Sequence, residues 1–268
     1  MGVDGSLTFD TKILTDGFSA GVHKLGSIAK GGLAVLGTAV AGSVAAFGAL
    51  TKASLDSVAS LEQNVGGVET LFKKSADTVI ENAKKAYETA GLSANDYMST
   101  VTSFSASLLQ SLGGDTKKAA EYADRAIVDM SDNANKMGTS MELIQNAYQG
   151  FAKQNYTMLD NLKLGYGGTK EEMKRLIRDA SKMTDVQKEL GVTVDESSLS
   201  FGNIVNAISV MQKSMGIAGT TAEEAATTIE GSMNSAKAAC DNFMNGTISA
   251  EDFAKTIDVA AENIVKNL

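Results

Sequence analysis

Few side chains in this sequence have the type and spacing that chemistry needs. His23 is the sole histidine. It sits in a glycine-rich stretch with no Asp, Cys or second His beside it, so neither a general base nor a metal ligand is marked. Cys240 is the sole cysteine, which rules out an intrachain disulfide; nothing points to an oxidising compartment. It falls on the apolar stripe of a predicted helix, where a thiol serves as a small buried hydrophobe. A triad with His23 would need a third member that the sequence does not mark. The run "GYGGTK", Gly165 to Lys170, has glycines ahead of a helix start and could cradle an anion. Its spacing is not that of a phosphate-binding loop, and no buried strand precedes it. A tight turn capped by Thr169 accounts for the same residues. "EYAD", "RDAS" and "DES" lack the layouts of calcium and zinc sites, and the methionines sit mostly on apolar stripes, as core fillers do. Catalytic, cofactor-binding and metal-ligating residues are all read as none, and no cofactor is expected.

The elements that would position any site are helical. Proline is absent from 268 residues, where average usage would place roughly 13. An interior proline removes a helix hydrogen bond and costs about 3 kcal/mol, so a proline-free chain favours long unbroken helices. Tryptophan is absent too and aromatics are 6%, which leaves Ala, Ser, Gly and Met to make thin helical packing. The net charge is −8 and no run of five basic residues occurs, so no exposed nucleic-acid patch and no sequence-specific nucleic-acid binding are expected. The N-terminus lacks the basic region of a signal peptide, and "MGVDGS" meets only the loose myristoylation pattern.

Periodicity and capping residues mark the segments. Residues 3–13 alternate loosely and predict a short strand or extended arm. Leu55, Val58, Leu61, Val65, Val68 and Phe72 recur at three and four, and Ala76, Val79, Ala83, Ala86 and Ala90 continue until Gly91. Ser93 with Asp96 opens the next helix, and "GGD" at 113–115 closes it and caps another that holds until Gly138. Thr139 with Glu142 and Thr169 with Glu172 read as capping boxes. "GVTVDESS" at 191–198 reads as a loop or short strand. Thr220 with Glu223, or Thr221 with Glu224, would cap a helix running through Ala226, Ile229, Met233, Ala236, Cys240 and Phe243. Ser249 with Asp252 opens the last, with Phe253, Ile257, Ala260, Ile264 and Leu268 on one face. The class is all-α: many helices, elongated or loosely bundled, with a short extended N-terminal arm and one apolar Ala/Gly-rich helix near the N-terminus.

That apolar helix is predicted over residues 31–51, "GGLAVLGTAVAGSVAAFGALT", which carry no charge between Lys30 and Lys52. As a helix it would span about 32 Å, the thickness of a bilayer's hydrocarbon core. Leu33, Val35, Leu36, Val40, Val44, Phe47 and Leu50 supply roughly −2 to −4 kcal/mol on an insertion scale, which makes insertion marginal. Gly37, Ala41, Ala45 and Ala49 recur every fourth residue, a stripe along which helices approach closely. Two roles stay open for this segment: entry into a bilayer, and burial in an oligomeric core.

The stretch that begins "LEQNVGGVETLFKKSADTVIENAKKAYETAGLSANDYMST" and runs to Leu176 resembles the core region of bacteriophage tail tape measure proteins. "GTTAEEAATTIEGSMNSAKAACDNFMNG" resembles the region that follows it in that family, and "FSAGVHKLGSIAKGGLAVLGTAVAGSVAAFGAL" resembles the family's N-terminal lead. The resemblance implies a virion component in the tail lumen, made in the bacterial cytoplasm. Its copies would limit the length of the tube that polymerises around them, and its apolar segments would contact the host membrane at genome ejection. The implied partners are the tail tube protein, tail assembly chaperones, further copies of itself as a trimer or hexamer, and the host membrane. It implies no catalytic residue. The domains that follow are an arm and linker over 1–30, the apolar segment over 31–51, the tape measure core over 52–190 and a helical region over 191–268. Fully helical, 268 residues reach only ~400 Å, so an N-terminal portion or a shortened prophage copy is expected. The alternative is a stand-alone pore-forming or toxin-like helical protein that inserts residues 31–51.

Overall fold

The computed structural model describes residues 44–267, and every element among them is helical. The order is α1 (Val44–Phe72), a 3-10 turn (Lys73–Ser75), α2 (Ala76–Thr89), α3 (Ala94–Ser111), α4 (Thr116–Met137), α5 (Met141–Ala152), a second 3-10 turn (Leu159–Leu162), α6 (Lys170–Ser181), α7 (Thr184–Leu190), α8 (Phe201–Ser214), α9 (Thr220–Thr227), α10 (Ile229–Met244) and α11 (Ala250–Asn267). The N-terminal arm at residues 3–13 lies outside the described residues. So does the apolar segment up to Ser43. Its remainder forms the first turns of α1, which passes Lys52 without a break. No helix among the described residues is long and apolar enough to cross a membrane.

Local chemistry explains most helix ends. Ser93 Oγ accepts from the Asp96 amide (3.2 Å) and donates to the Asp96 carboxylate (2.8 Å), closing the first turn of α3. Asp115 accepts from the amides of Lys117 and Lys118 at the start of α4. Ser249 and Asp252 repeat the Ser93 arrangement at α11. Gly138 closes α4 in the left-handed region (φ 63°), where a side chain would be strained.

Two expected ends fall elsewhere. α5 is capped by Ser140, whose Oγ accepts from Leu143, while Thr139 donates to the Asn161 carbonyl 22 residues on. The helix expected through Ala226 and Ile229 is broken at Thr228. There the backbone turns extended (φ −111°, ψ 157°), and the hydroxyl caps α10 by accepting from Gly231. Met233, placed on the apolar stripe by its spacing, is 51% exposed because that break rotates α10. Residues 191–198 form a loop, which Asn203 clasps through the Asp195 amide and the carbonyls of Asp195 and Ser198.

The bundle is not loose between Val68 and Ile217, which share one contiguous apolar core. α4 runs through its middle against α2, α3, α5, α8 and α9. Its inner face is Ala119, Ala120, Ala123, Ala126, Ile127 and Met130, all buried. Small side chains there let neighbouring backbones come close, and larger residues opposite fill the space. Phe104 of α3 meets Phe201 of α8 edge to face at 5.8 Å, and Tyr148 and Phe151 of α5 stack on toward Tyr156. A second, smaller core joins Tyr87 of α2 to Ala238, Ala239 and Phe253 of α10 and α11.

Candidate functional site

The C-terminal half of α4 carries polar residues on its buried face, an unusual choice for a central helix. Asp129 is 5% exposed, and Ser209 of α8 donates to its carboxylate. Burial pushes the Asp129 carboxyl up to about 7; the Ser209 bond and Arg125 pull it down, and Asp132 pushes it further up. Tyr148 and Gln212 are also fully buried, and neither the Tyr148 hydroxyl nor the Gln212 amide has a hydrogen-bond partner among the described residues.

Asp132, one turn on, has a structural role that no local pattern announces. Its carboxylate accepts from the amides of Gly219 (2.6 Å) and Thr221 (2.8 Å) and so caps α9 from 87 residues away in sequence. This replaces the capping boxes expected at Thr220 and Thr221. Thr220 instead donates back to the Ile217 carbonyl. An anion at a helix N-terminus gains from both the free amides and the helix dipole, although burial still raises the Asp132 carboxyl above its ordinary range.

Beside this latch lies an open cleft of about 910 Å³. The turn after α2 (Ala90–Ser93), the end of α4 (Ser131, Ala134, Asn135, Gly138) and Met141 form one wall. Residues of α9 and α10 form the other. Its charged side chains are Asp96, Glu224, Glu230 and Asp241 against Lys237. Cys240 lines it, half-buried rather than enclosed, and burial with Asp241 nearby raises its thiol pKa. A thiol held in that state is a poor nucleophile. Among the described residues no group of three or more His, Cys, Asp or Glu side chains is placed to hold a metal ion.

The glycine run at 165–170 is a turn with its polar groups already taken. The Gly167 amide donates to Glu172 (3.1 Å), so the protein's own carboxylate takes a turn amide that could have received an anion. Arg175 pairs with Glu172, donates to the Gly165 carbonyl (2.9 Å) and lies 4.4 Å over the Tyr166 ring. Burial and a hydrogen bond to Asp179 push the Tyr166 phenol up to about 12. Gly168 passes so close to Thr157 that a Cβ would stand 2.2 Å from its carbonyl oxygen.

Of the residues assigned to the apolar packing segment, Leu33, Leu36, Gly37, Val40 and Ala41 lie outside the described residues, as does His23. Val44, Ala45, Phe47, Ala49 and Leu50 fall on α1. Sequence reasoning missed the Asp129–Asp132 pair; the one available signal was two acids three apart on a helix whose preceding turns bury an apolar stripe. No protein family, no curated protein and no solved structure matches the chain.

Proposed function

We propose that this chain is a structural protein of a bacteriophage tail, of the tape measure type. In this reading it is a scaffold around which tube subunits assemble and which limits the tube's length, and residues 31–51 contact or cross the host membrane at ejection. Its partners are the tube subunits, their assembly chaperones and further copies of the chain. The observation that carries the reading is the sequence stretch from Leu61 to Leu176, which resembles the tape measure core. The structure is compatible with it: the stretch occupies the second half of α1 through α6 and supplies most of one continuous core. The buried polar groups near α4 serve packing and capping in this reading, and the cleft has no assigned reaction.

The test is mass spectrometry of purified virions from a phage that carries the gene, with electron microscopy of tails after its deletion. The protein is expected in the virion in a few copies, and deletion is expected to abolish tails or release their length. Its absence from virions, or normal tails without it, refutes the reading. Leakage from liposomes separates the pore-forming alternative, which the uncharged 31–51 run favours. Lysis by purified protein alone, without other phage parts, is the result expected of a toxin.

A further inference from the structure

Two kinds of packing meet in this fold. α1–α8 share a core of large side chains, whereas α9–α11 join them mainly through hydrogen bonds between polar side chains and helix ends. Asp132 holds the Gly219 and Thr221 amides. In the other direction, Asn242 of α10 accepts from the Ala94 amide (2.7 Å) in the first turn of α3. Ser235 donates to the Tyr87 carbonyl (2.8 Å) near the end of α2. Ser57 of α1 donates to Asp241 (2.7 Å) and accepts from Asn245 (3.2 Å). The apolar part of this seam is small: of the second core, only Tyr87 comes from the α1–α8 side.

Within itself the C-terminal trio is well tied. Phe243 and Phe253 stack at 5.2 Å, and Asn263 of α11 donates to the carbonyls of Ala226 and Thr228 at the α9–α10 junction. Its only covalent link to α8 is the turn Met215–Gly219. That turn has left-handed glycines at both ends (Gly216 φ 67°, Gly219 φ 88°) around Ile217, which is 1% exposed and anchored in the main core.

We propose that α9–α11 form a hinged unit that undocks from α1–α8 as one body, turning on Gly219 beside the Ile217 anchor, and that the cleft is the mouth of this opening. The physical reason is the kind of contact at the seam. Each seam hydrogen bond exchanges for one to water at a net cost of only about 1 kcal/mol, whereas the large core side chains of α1–α8 lose several each if separated. Interfaces of this polar sort within one chain permit relative motion by default, and opening at the weakest seam precedes global unfolding.

Cys240 is a native reporter, since it lines the cleft, is half-buried and is the only thiol. The test measures its labelling rate by a thiol reagent together with amide exchange across the full chain, in the native protein and in Ser57→Ala, Asn242→Ala and Asp132→Asn. Cys240 labelling and exchange over residues 88–97 and 216–222 are expected to rise together, about fivefold for each lost seam bond. Exchange in α5 and α8 is expected to stay unchanged. A rise confined to the neighbours of the altered residue overturns the proposal. So does a parallel rise in α5 and α8, or no rise at all. Ser57→Ala is the mildest change and decides the matter if Asp132→Asn does not fold.

Discussion

Asp129→Asn tests whether the polar face of α4 costs stability at neutral pH. The side chain is 5% exposed, and burial raises its carboxyl to about 7 from an ordinary 3.8. The folded chain therefore keeps a proton there that the unfolded chain has already lost. The sign follows from linkage: this group's stabilising share is complete below pH 4, falls as pH rises from about 4 to 7, and is gone above that. A shift of about 3 units at ~1.4 kcal/mol each makes the loss about 4 kcal/mol at pH 8. That is a large part of the 5–15 kcal/mol that holds a typical domain together. Asparagine has the same shape, accepts the Ser209 hydroxyl as the carboxylate does, and cannot ionise. Urea denaturation of both proteins from pH 4 to 8.5 measures the difference. The variant is expected to match the native protein near pH 4 and to exceed it by about 2–4 kcal/mol at pH 8. A difference that stays constant across this range, or a variant weaker at pH 8, would refute the account of a buried carboxyl under strain.

Four further substitutions have defined outcomes. Gly168→Ala drives a methyl group into the Thr157 carbonyl at 2.2 Å; calorimetry is expected to show a loss of about 2–3 kcal/mol, or roughly 5–10 °C in Tm. Tyr148→Phe removes a buried hydroxyl that has no partner, so denaturation is expected to show no loss and a gain of up to about 1 kcal/mol. The matched Tyr97→Phe forfeits a 2.7 Å bond to Asp124 and is expected to lose about 1 kcal/mol. Thr169→Ala leaves the Glu172 amide uncapped at the start of α6, a loss of about 1 kcal/mol readable in the same denaturation series.

What the sequence disclosed divides by range. Helix ends set by neighbours within three or four residues were legible: Ser93 with Asp96, Asp115, Thr169, Ser249 with Asp252, and the glycines at 91 and 138. The same code misled where a residue beyond the window supplied the partner. Thr220 and Thr221 carry the right spacing for a capping box, yet Asp132 caps the helix through the Gly219 and Thr221 amides, the Glu223 amide donates to the Gly219 carbonyl, and Thr220 turns back to the Ile217 carbonyl. Thr139 has the right spacing to Glu142 and is drawn away to Asn161. Spacing also cannot register a single extended residue such as Thr228, whose φ and ψ turn the next helix face by an angle the period does not carry. The cleft was invisible for the same reason, since its two walls are at least 80 residues apart in the chain.

The packing bears on the length-setting part of the proposed function. A ruler must grow in proportion to the residues added to it, at ~1.5 Å each in a straight helix. A chain folded back on itself grows far more slowly: its radius scales as about the 0.38 power of length, near 17 Å for a domain of this size. The core from Val68 to Ile217 is of the second kind, with α1, α2, α3, α5 and α8 packed on α4, and α6 and α7 packed on α8. Added residues inside it would thicken a bundle and hardly lengthen a rod. Under the proposed tail function, α1–α8 would then serve as a fixed head that recruits partners or starts assembly. Any length-setting part would have to be unbranched helix that does not fold back. Inserting whole helical turns into an exposed loop of α1–α8 is accordingly expected to leave tail length unchanged, and a proportional change would place the ruler within the bundle after all.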